Sequence, residues 1–109
     1  MSEIVNVTIT APSADFLVQL TRHLVESGLA ASGNIIDGAR SVYRWDGEVC
    51  ETDEAVASLR TQARHVDAIV AATRERHPYA VPHVAATPIV GANPEYERWV
   101  LESTAGVGE

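Results

Sequence analysis

The chain has 109 residues, of which 46% are hydrophobic and 21% are charged, and its formal net charge at pH 7 is -7. This length suits one domain with one core, and the composition is that of an ordinary globular protein rather than a disordered chain. Fifteen acidic residues against eight basic ones would repel phosphate backbones and anionic lipids, so we expect no nucleic-acid partner and no membrane partner.

The N-terminal residues and the cysteine content predict a cytoplasmic location. No basic region precedes an apolar one at the start of the chain, and the longest apolar run, 68–72, is too short to span a bilayer. Cys50 is the only cysteine, so the chain can form no internal disulfide and no cysteine-paired zinc site. Both observations agree with a reducing compartment.

The first half of the chain predicts a strand, a helix and a long second strand. Apolar and polar residues alternate from Val5 to Thr10, which is the period of a half-buried strand. A helix is predicted from about Ser13, which can cap it, to Ser27, because leucines recur at helical spacing. The segment from Asn34 to Trp45 is rich in strand-forming residues, and Gly38 within it predicts a bulge or bend.

A tight hairpin turn is predicted at Asp46-Gly47, because these two residues tolerate the positive φ that such a turn needs. The return strand should begin at Glu48. From Thr52 onward the local pattern is ambiguous. The segment 53–60 is rich in alanine and has helical propensity, yet the hairpin needs a partner strand there.

The second half predicts a helix, a short strand and a final helix. The apolar positions of 66–73 form a helical face, and this helix should end near Arg76 because Pro78 restricts its predecessor. Val84 to Val90 reads as a strand in which Pro88 requires an edge or a bulge. Asn93 can cap a last helix that starts at Pro94. We assign 1–104 to one domain and 105–109 to a short C-terminal tail.

The connector His77–His83, with the sequence HPYAVPH, is the most distinctive stretch of the chain. Its two prolines exclude a helix and hold it extended. Two interpretations remain open here. The connector is either a binding surface built from His77, Tyr79 and His83 or a crossover whose histidines cover the edge of the core.

The order of predicted elements is that of an α+β, ferredoxin-like (split β-α-β) domain. Three motifs in this order resemble the CutA-type divalent-cation tolerance proteins, and the likeness runs from about Ile4 to Ser103. They are Arg40–Gly47 (RSVYRWDG), His77-Pro78-Tyr79 with Val81-Pro82, and Asn93-Pro94-Glu95-Tyr96 with Trp99.

The resemblance implies a ferredoxin-like sandwich with a long β-hairpin and a C-terminal helix, assembled as a compact homotrimer. It also implies that 54–61 is a strand. The function it implies is a role in the metal-ion response through binding of copper or another divalent cation, rather than catalysis.

The chain departs from the family pattern at several positions. Ser32 stands behind the paired alanines where a cysteine is frequent, which removes a soft ligand suited to copper. Ala80 and His83 stand where glutamates are usual, and Arg60 stands where a lysine is common. His83 partly compensates, because an imidazole binds copper and zinc well.

The candidate metal ligands are His77, His83 and Cys50. Six residues of extended chain hold the two histidines about 18 Å apart at about 3.1 Å per residue, so a shared ion would need other strands or neighbouring subunits. His77 ends a helix, where it can bond the terminal carbonyls, and its replacement by alanine should cost about 1 kcal/mol or less. His83 has no comparable structural role and is the better candidate ligand.

Catalysis has no visible machinery, since the sequence lacks a glycine-rich phosphate loop, a metalloprotease helix motif and a serine elbow. We expect neither an enzyme nor an organic cofactor. A trimeric PII-type signalling module is the alternative function, with a small anionic ligand in intersubunit clefts lined by Tyr79, Arg60 and Trp45. Tyr43 and Trp45, near the hairpin tip, are the candidate trimer-interface residues.

Overall fold

The computed structural model describes residues 3–106. Of the predicted tail, 107–109 lies outside the described residues. Within 3–106 the chain forms four strands and three α-helices, and a single 3₁₀ turn at Ala63–His65 precedes the second helix. In chain order the elements are β1 (Ile4–Ala11), α1 (Ala14–Glu26), β2 (Ser32–Trp45), β3 (Glu48–Gln62), α2 (Val66–Arg76), β4 (Val84–Pro88) and α3 (Pro94–Ser103).

The four strands form one antiparallel sheet in the order β2-β3-β1-β4, which is the order of a split β-α-β domain. Helices α1 and α2 cover one face of this sheet. The main core lies between these two helices and the sheet, because alternate residues of each strand point toward α1 and α2. Its fully buried large members are Val7, Ile9, Leu17, Leu24, Leu59 and Ile69. The predicted α+β class is confirmed.

The edge strand β4 confirms the prediction made for Pro88. This residue is the last of β4 and pairs with Val5 of β1 at the edge of the sheet, where a missing N–H group is tolerated. The strand is shorter than predicted, since it ends there and not at Val90.

The hairpin of β2 and β3 projects beyond the rest of the sheet. Strand β1 pairs with β3 only up to Ala55, whereas β2 and β3 remain paired from Ala39 and Glu54 to the turn. The register shifts between Ile36 and Ala39, where Gly38 has a φ of +83°. The predicted bulge is therefore confirmed, as is the strand across 54–61.

The turn at the hairpin tip has the predicted backbone. Asp46 and Gly47 have φ values of +52° and +80°, and Asp46 is the one non-glycine residue with positive φ among residues 3–106. This conformation matches the twist of the two strands and fixes the pairing of Trp45 with Glu48.

Helix α3 packs on the opposite face of the sheet. Val100 is fully buried against Ile4. Ile4 points away from α1 and α2, because its neighbour Val5 points toward them. Thr104 is also fully buried, and its carbonyl oxygen lies 2.7 Å from Nε2 of His65. These contacts hold the end of α3 against the body.

Asn93 does not cap α3 as predicted. Its side chain makes no capping bond and instead donates to a carboxylate oxygen of Glu95 at 2.9 Å. The backbone carbonyl of Asn93 accepts from Tyr96 and Glu97, so the first turn still closes. No helix within residues 3–106 is long and apolar enough to cross a membrane.

Candidate functional site

A cleft of about 660 Å³ lies between the connector that follows α2 and the base of the projecting hairpin. Its walls are Ser41–Tyr43 and Trp45 of β2, Pro78–Val81 and His83 of the connector, and Thr10 and Glu54 of the sheet. The connector is not extended as predicted, because residues 78–81 form a bend. The bent segment forms one wall of the cleft. The sequence-predicted residues Trp45, Tyr79 and His83 thus come together in one chain.

Glu54 is the chemically distinctive group of this cleft. Glu54 is only 7% exposed. Oε1 accepts a hydrogen bond from Oγ of Ser41 at 2.6 Å, and Oε2 accepts one from the hydroxyl of Tyr79 at 2.9 Å. The ion pairs found within residues 3–106 do not include Glu54. Two neutral hydroxyls therefore hold a carboxylate that has further acceptor capacity on each oxygen.

The carboxylate of Glu54 contributes to the raised pKa of the Tyr79 hydroxyl that it binds. Burial raises the pKa of Tyr79 from 10.0 to about 12, together with the hydrogen bond to Glu54, the negative charge of Glu54 and the nearby Tyr43. Each of these disfavours the phenolate. Tyr79 is consequently a neutral donor at all physiological pH values.

Titration of the tyrosines should therefore show one that ionises late. Because the folded-state pKa of Tyr79 is raised, its contribution to stability is fully present below pH 10.0 and is lost as the pH rises through about 12. We expect tyrosinate absorbance to contain a last step near pH 12 that is missing from Tyr79→Phe. Glu54→Gln should move that step to lower pH but leave the part due to burial. If the Tyr79 step lies at the same pH in the parent and in Glu54→Gln, the assigned effect of Glu54 is wrong.

His77 holds Tyr79 in place, and both of its ring nitrogens have partners within one chain. His77 is 8% exposed. Its Nε2 lies 2.7 Å from the carbonyl oxygen of Thr10, and its Nδ1 accepts a hydrogen bond from the backbone N–H of Tyr79 at 3.1 Å. The proton is therefore on Nε2. Both ring nitrogens of His77 are thus occupied within one chain, and its metal role stays a prediction. Its partner is also a strand carbonyl and not the end of α2.

His83 is exposed at the cleft, and its imidazole makes no hydrogen bond within the described chain. Cys50 lies opposite Tyr43 on the projecting hairpin and is partly exposed. Along β3 it is four residues from Glu54, which is about 13 Å at about 3.3 Å per residue. No three residues among the His, Cys, Asp and Glu side chains of 3–106 are grouped to hold a metal ion. His77, His83 and Cys50 thus do not converge within one chain.

Arg60 is not among the residues that line this cleft within one chain. Its guanidinium donates to the carbonyl of Ser58 at 2.9 Å, to the hydroxyl of Tyr96 at 3.2 Å and to the side chain of Asn34. It faces the same side of the sheet as Glu54, but six residues of strand separate the two by about 20 Å. Within one chain, the predicted cleft set is therefore reduced to Tyr79 and Trp45.

Glu54 and Ser41 are the site residues that sequence reasoning missed. The position of the hairpin turn would have predicted that Ser41 and Glu54 are neighbours. Counting back from the pairing of Trp45 with Glu48 places Ser41 opposite Thr52 and Ala39 opposite Glu54, so that Ser41 and Glu54 become diagonal neighbours on one face. The contact of Glu54 with Tyr79 joins residues 25 positions apart and has no local signal.

Comparison with known proteins identifies the family. The model of the CutA1 divalent ion tolerance protein family matches residues 5–103. The divalent-cation tolerance protein CutA of Thermus thermophilus is 39% identical over 98 residues, which are 90% of this chain and 95% of that protein. Protein CutA of the mouse is 35% identical over 91% of this chain, but this chain spans only 56% of its length.

Solved structures agree with the sequence comparison. The Cut A1 protein of Thermus thermophilus superimposes with a TM-score of 0.90 at 38% identity, covering 93% of this chain and 98% of that one. CutA1 of Oryza sativa gives a TM-score of 0.90 at 33% identity and covers 94% of each chain. The chain therefore belongs to the CutA1 divalent ion tolerance protein family.

Proposed function

We propose that this protein acts in divalent-cation tolerance as a homotrimer that binds copper or another divalent cation without catalysing a reaction. The observation that carries the proposal is the cleft, which is lined both by the exposed imidazole of His83 and by the buried carboxylate of Glu54. Imidazole and carboxylate are both ligands for divalent transition metals. The relatives from Thermus thermophilus are named divalent-cation tolerance proteins, in keeping with this function.

One chain supplies too few donors for a complete site. His83 and Glu54 are the two cleft residues able to bind a transition metal, whereas such ions take four or more ligands. The remaining ligands must come from water or a neighbouring chain. Cys50 is a suitable donor from a neighbour, because it lies on the projecting hairpin and its thiolate prefers copper and zinc.

A trimer would cover surfaces that a single chain leaves open. The sheet has two free edges, and Ile36, which lies on the same face as α3, is 65% exposed. On the projecting hairpin Tyr43 and Trp45 are 41% and 53% exposed. Long unpaired edges and exposed aromatic residues favour association. Since Tyr43 and Trp45 also line the cleft, the trimer would place the cleft where two chains meet.

The anion-binding alternative has no support from the cleft. A buried carboxylate repels an anionic ligand, and Arg60, which was expected to bind it, is bonded elsewhere. The negative net charge of the chain acts in the same direction. The cleft therefore favours cations.

We propose a cytoplasmic location because the single cysteine fits a reducing compartment. The names of related proteins include a chloroplastic protein of rice and a periplasmic protein of Archaeoglobus fulgidus, so relatives occupy several compartments. Cell fractionation of the source organism would decide this point.

Titration calorimetry on tag-free protein should show that copper binds more tightly than magnesium or calcium. The reason is that an imidazole and a thiolate prefer copper, whereas magnesium and calcium need several oxygen ligands. His83→Ala should weaken copper binding and leave the melting temperature nearly unchanged, because the imidazole makes no bond within the described chain.

Two controls make this titration decisive. Cys50→Ser tests the ligand that we assign to the neighbouring chain, and His23→Ala removes an exposed histidine of α1 as a matched control. If parent, His83→Ala and Cys50→Ser all bind copper alike, the proposed ligands are wrong. If copper and magnesium give equal affinity, the proposed selectivity is wrong.

A further inference from the structure

We propose that the cleft between the connector and the hairpin binds a small organic ammonium ion, with the NH₃⁺ group at Glu54 and the carbon skeleton against Tyr43 and Trp45. This ligand class goes beyond the proposed metal function. The inference depends on Glu54 and the cleft walls, and it does not require a metal ion.

The Glu54 carboxylate that lines the cleft lacks a positive partner among the residues described. Glu54 is nearly buried and receives two neutral hydroxyl hydrogen bonds, one on each oxygen. Burying a carboxylate is costly unless a positive charge or several donors compensate it. Each oxygen can accept one more bond, and an alkylammonium group brings three donors and a full positive charge.

The walls of the cleft suit the carbon part of such an ion. Trp45 and Tyr43 line the cleft together with Pro78 and Val81, and in the proposed trimer this cleft lies where two chains meet. The faces of aromatic rings attract organic cations through their quadrupole. The volume of about 660 Å³ lies in the range of small-molecule sites, which is roughly 300–1,000 Å³.

The same features select against other ligands. The negative charge of Glu54, whose effect is visible in the raised pKa of Tyr79, opposes anions. A neutral molecule of the same shape would fill the cleft but would leave the carboxylate without its ion pair. A strongly hydrated divalent ion such as magnesium gains nothing from aromatic walls.

Fluorescence of Trp45 provides a direct measurement. The chain contains two tryptophans, so Trp99→Phe leaves Trp45 as the sole reporter. In this background, with EDTA and constant ionic strength, phenethylammonium should give a saturable change in emission. Its uncharged isostere 2-phenylethanol should bind at least tenfold more weakly. Equal affinities for the two compounds, or no saturable change with phenethylammonium, would overturn the proposal.

Glu54→Gln supplies the second arm of the test. It keeps the size of the side chain and removes the charge, and it should weaken phenethylammonium binding at least tenfold. Glu75→Gln removes the same charge from an exposed position on α2 and should change nothing. Circular dichroism and light scattering establish that each variant keeps the parent's fold and assembly. Should Glu54→Gln fail to fold, the isostere comparison in the Trp99→Phe protein still decides.

The metal proposal and the ammonium proposal can fail separately. Loss of copper binding in His83→Ala says nothing about phenethylammonium, which is measured with EDTA present. Retained phenethylammonium binding in Glu54→Gln rejects the ammonium proposal, while copper binding can still depend on His83 and Cys50.

Discussion

Replacing His77 with alanine should lower the free energy of unfolding by about 3 kcal/mol, from the loss of two partly buried hydrogen bonds and two ring contacts. The change leaves the carbonyl of Thr10 and the N–H of Tyr79 without their partner. It also removes an imidazole whose ring centroid lies 5.3 Å from that of Phe16 and 4.8 Å from that of Tyr79. This loss exceeds what a helix-terminal histidine would give.

Urea denaturation at one fixed protein concentration measures this effect, since the stability of an oligomer depends on concentration. His83→Ala is the matched control, because the two histidines bracket the same connector and only His77 is buried. We expect His83→Ala to stay within about 0.5 kcal/mol of the parent, as surface changes usually do. A His77→Ala variant as stable as His83→Ala would show that the connector does not depend on these bonds.

Local patterns predicted the secondary structure of this chain well. Alternation identified β1, leucine spacing with Ser13 identified α1, and Asp46-Gly47 fixed the hairpin. Each of these signals acts within a few residues, where backbone preference and side-chain periodicity are decisive. The strand at 54–61 followed instead from the resemblance, because alanine-rich sequence favours helix until a partner strand is present.

The site was harder to predict because its bonds join distant parts of the chain. His77 bonds Thr10, 67 positions away, and Tyr79 bonds Glu54, 25 positions away. A histidine before a proline shows no sign of its partner, and an acidic residue in an exposed-looking hairpin shows no sign of burial. Arg60 was placed in the cleft for its charge, although its distance along β3 from the hairpin base excludes it within one chain.

Changing Trp45 to glutamate should dissociate the proposed trimer into single chains, while Trp99→Glu should leave it intact. Both tryptophans are exposed in one chain, at 53% and 45%. Trp99 packs beside Tyr96 on α3, whereas Trp45 lies on the projecting hairpin that we propose to reach a neighbour. A carboxylate buried at an interface loses its hydration and gains no partner.

Light scattering at micromolar concentration distinguishes these outcomes. The parent and Trp99→Glu should have the mass of three chains, and Trp45→Glu the mass of one. A monomeric parent would remove the trimer and the intersubunit cleft together. If both variants dissociate, the effect is not specific to the hairpin. Because a closed trimer contains every interface three times, the cost of each buried charge is counted three times. One substitution at Trp45 should therefore suffice.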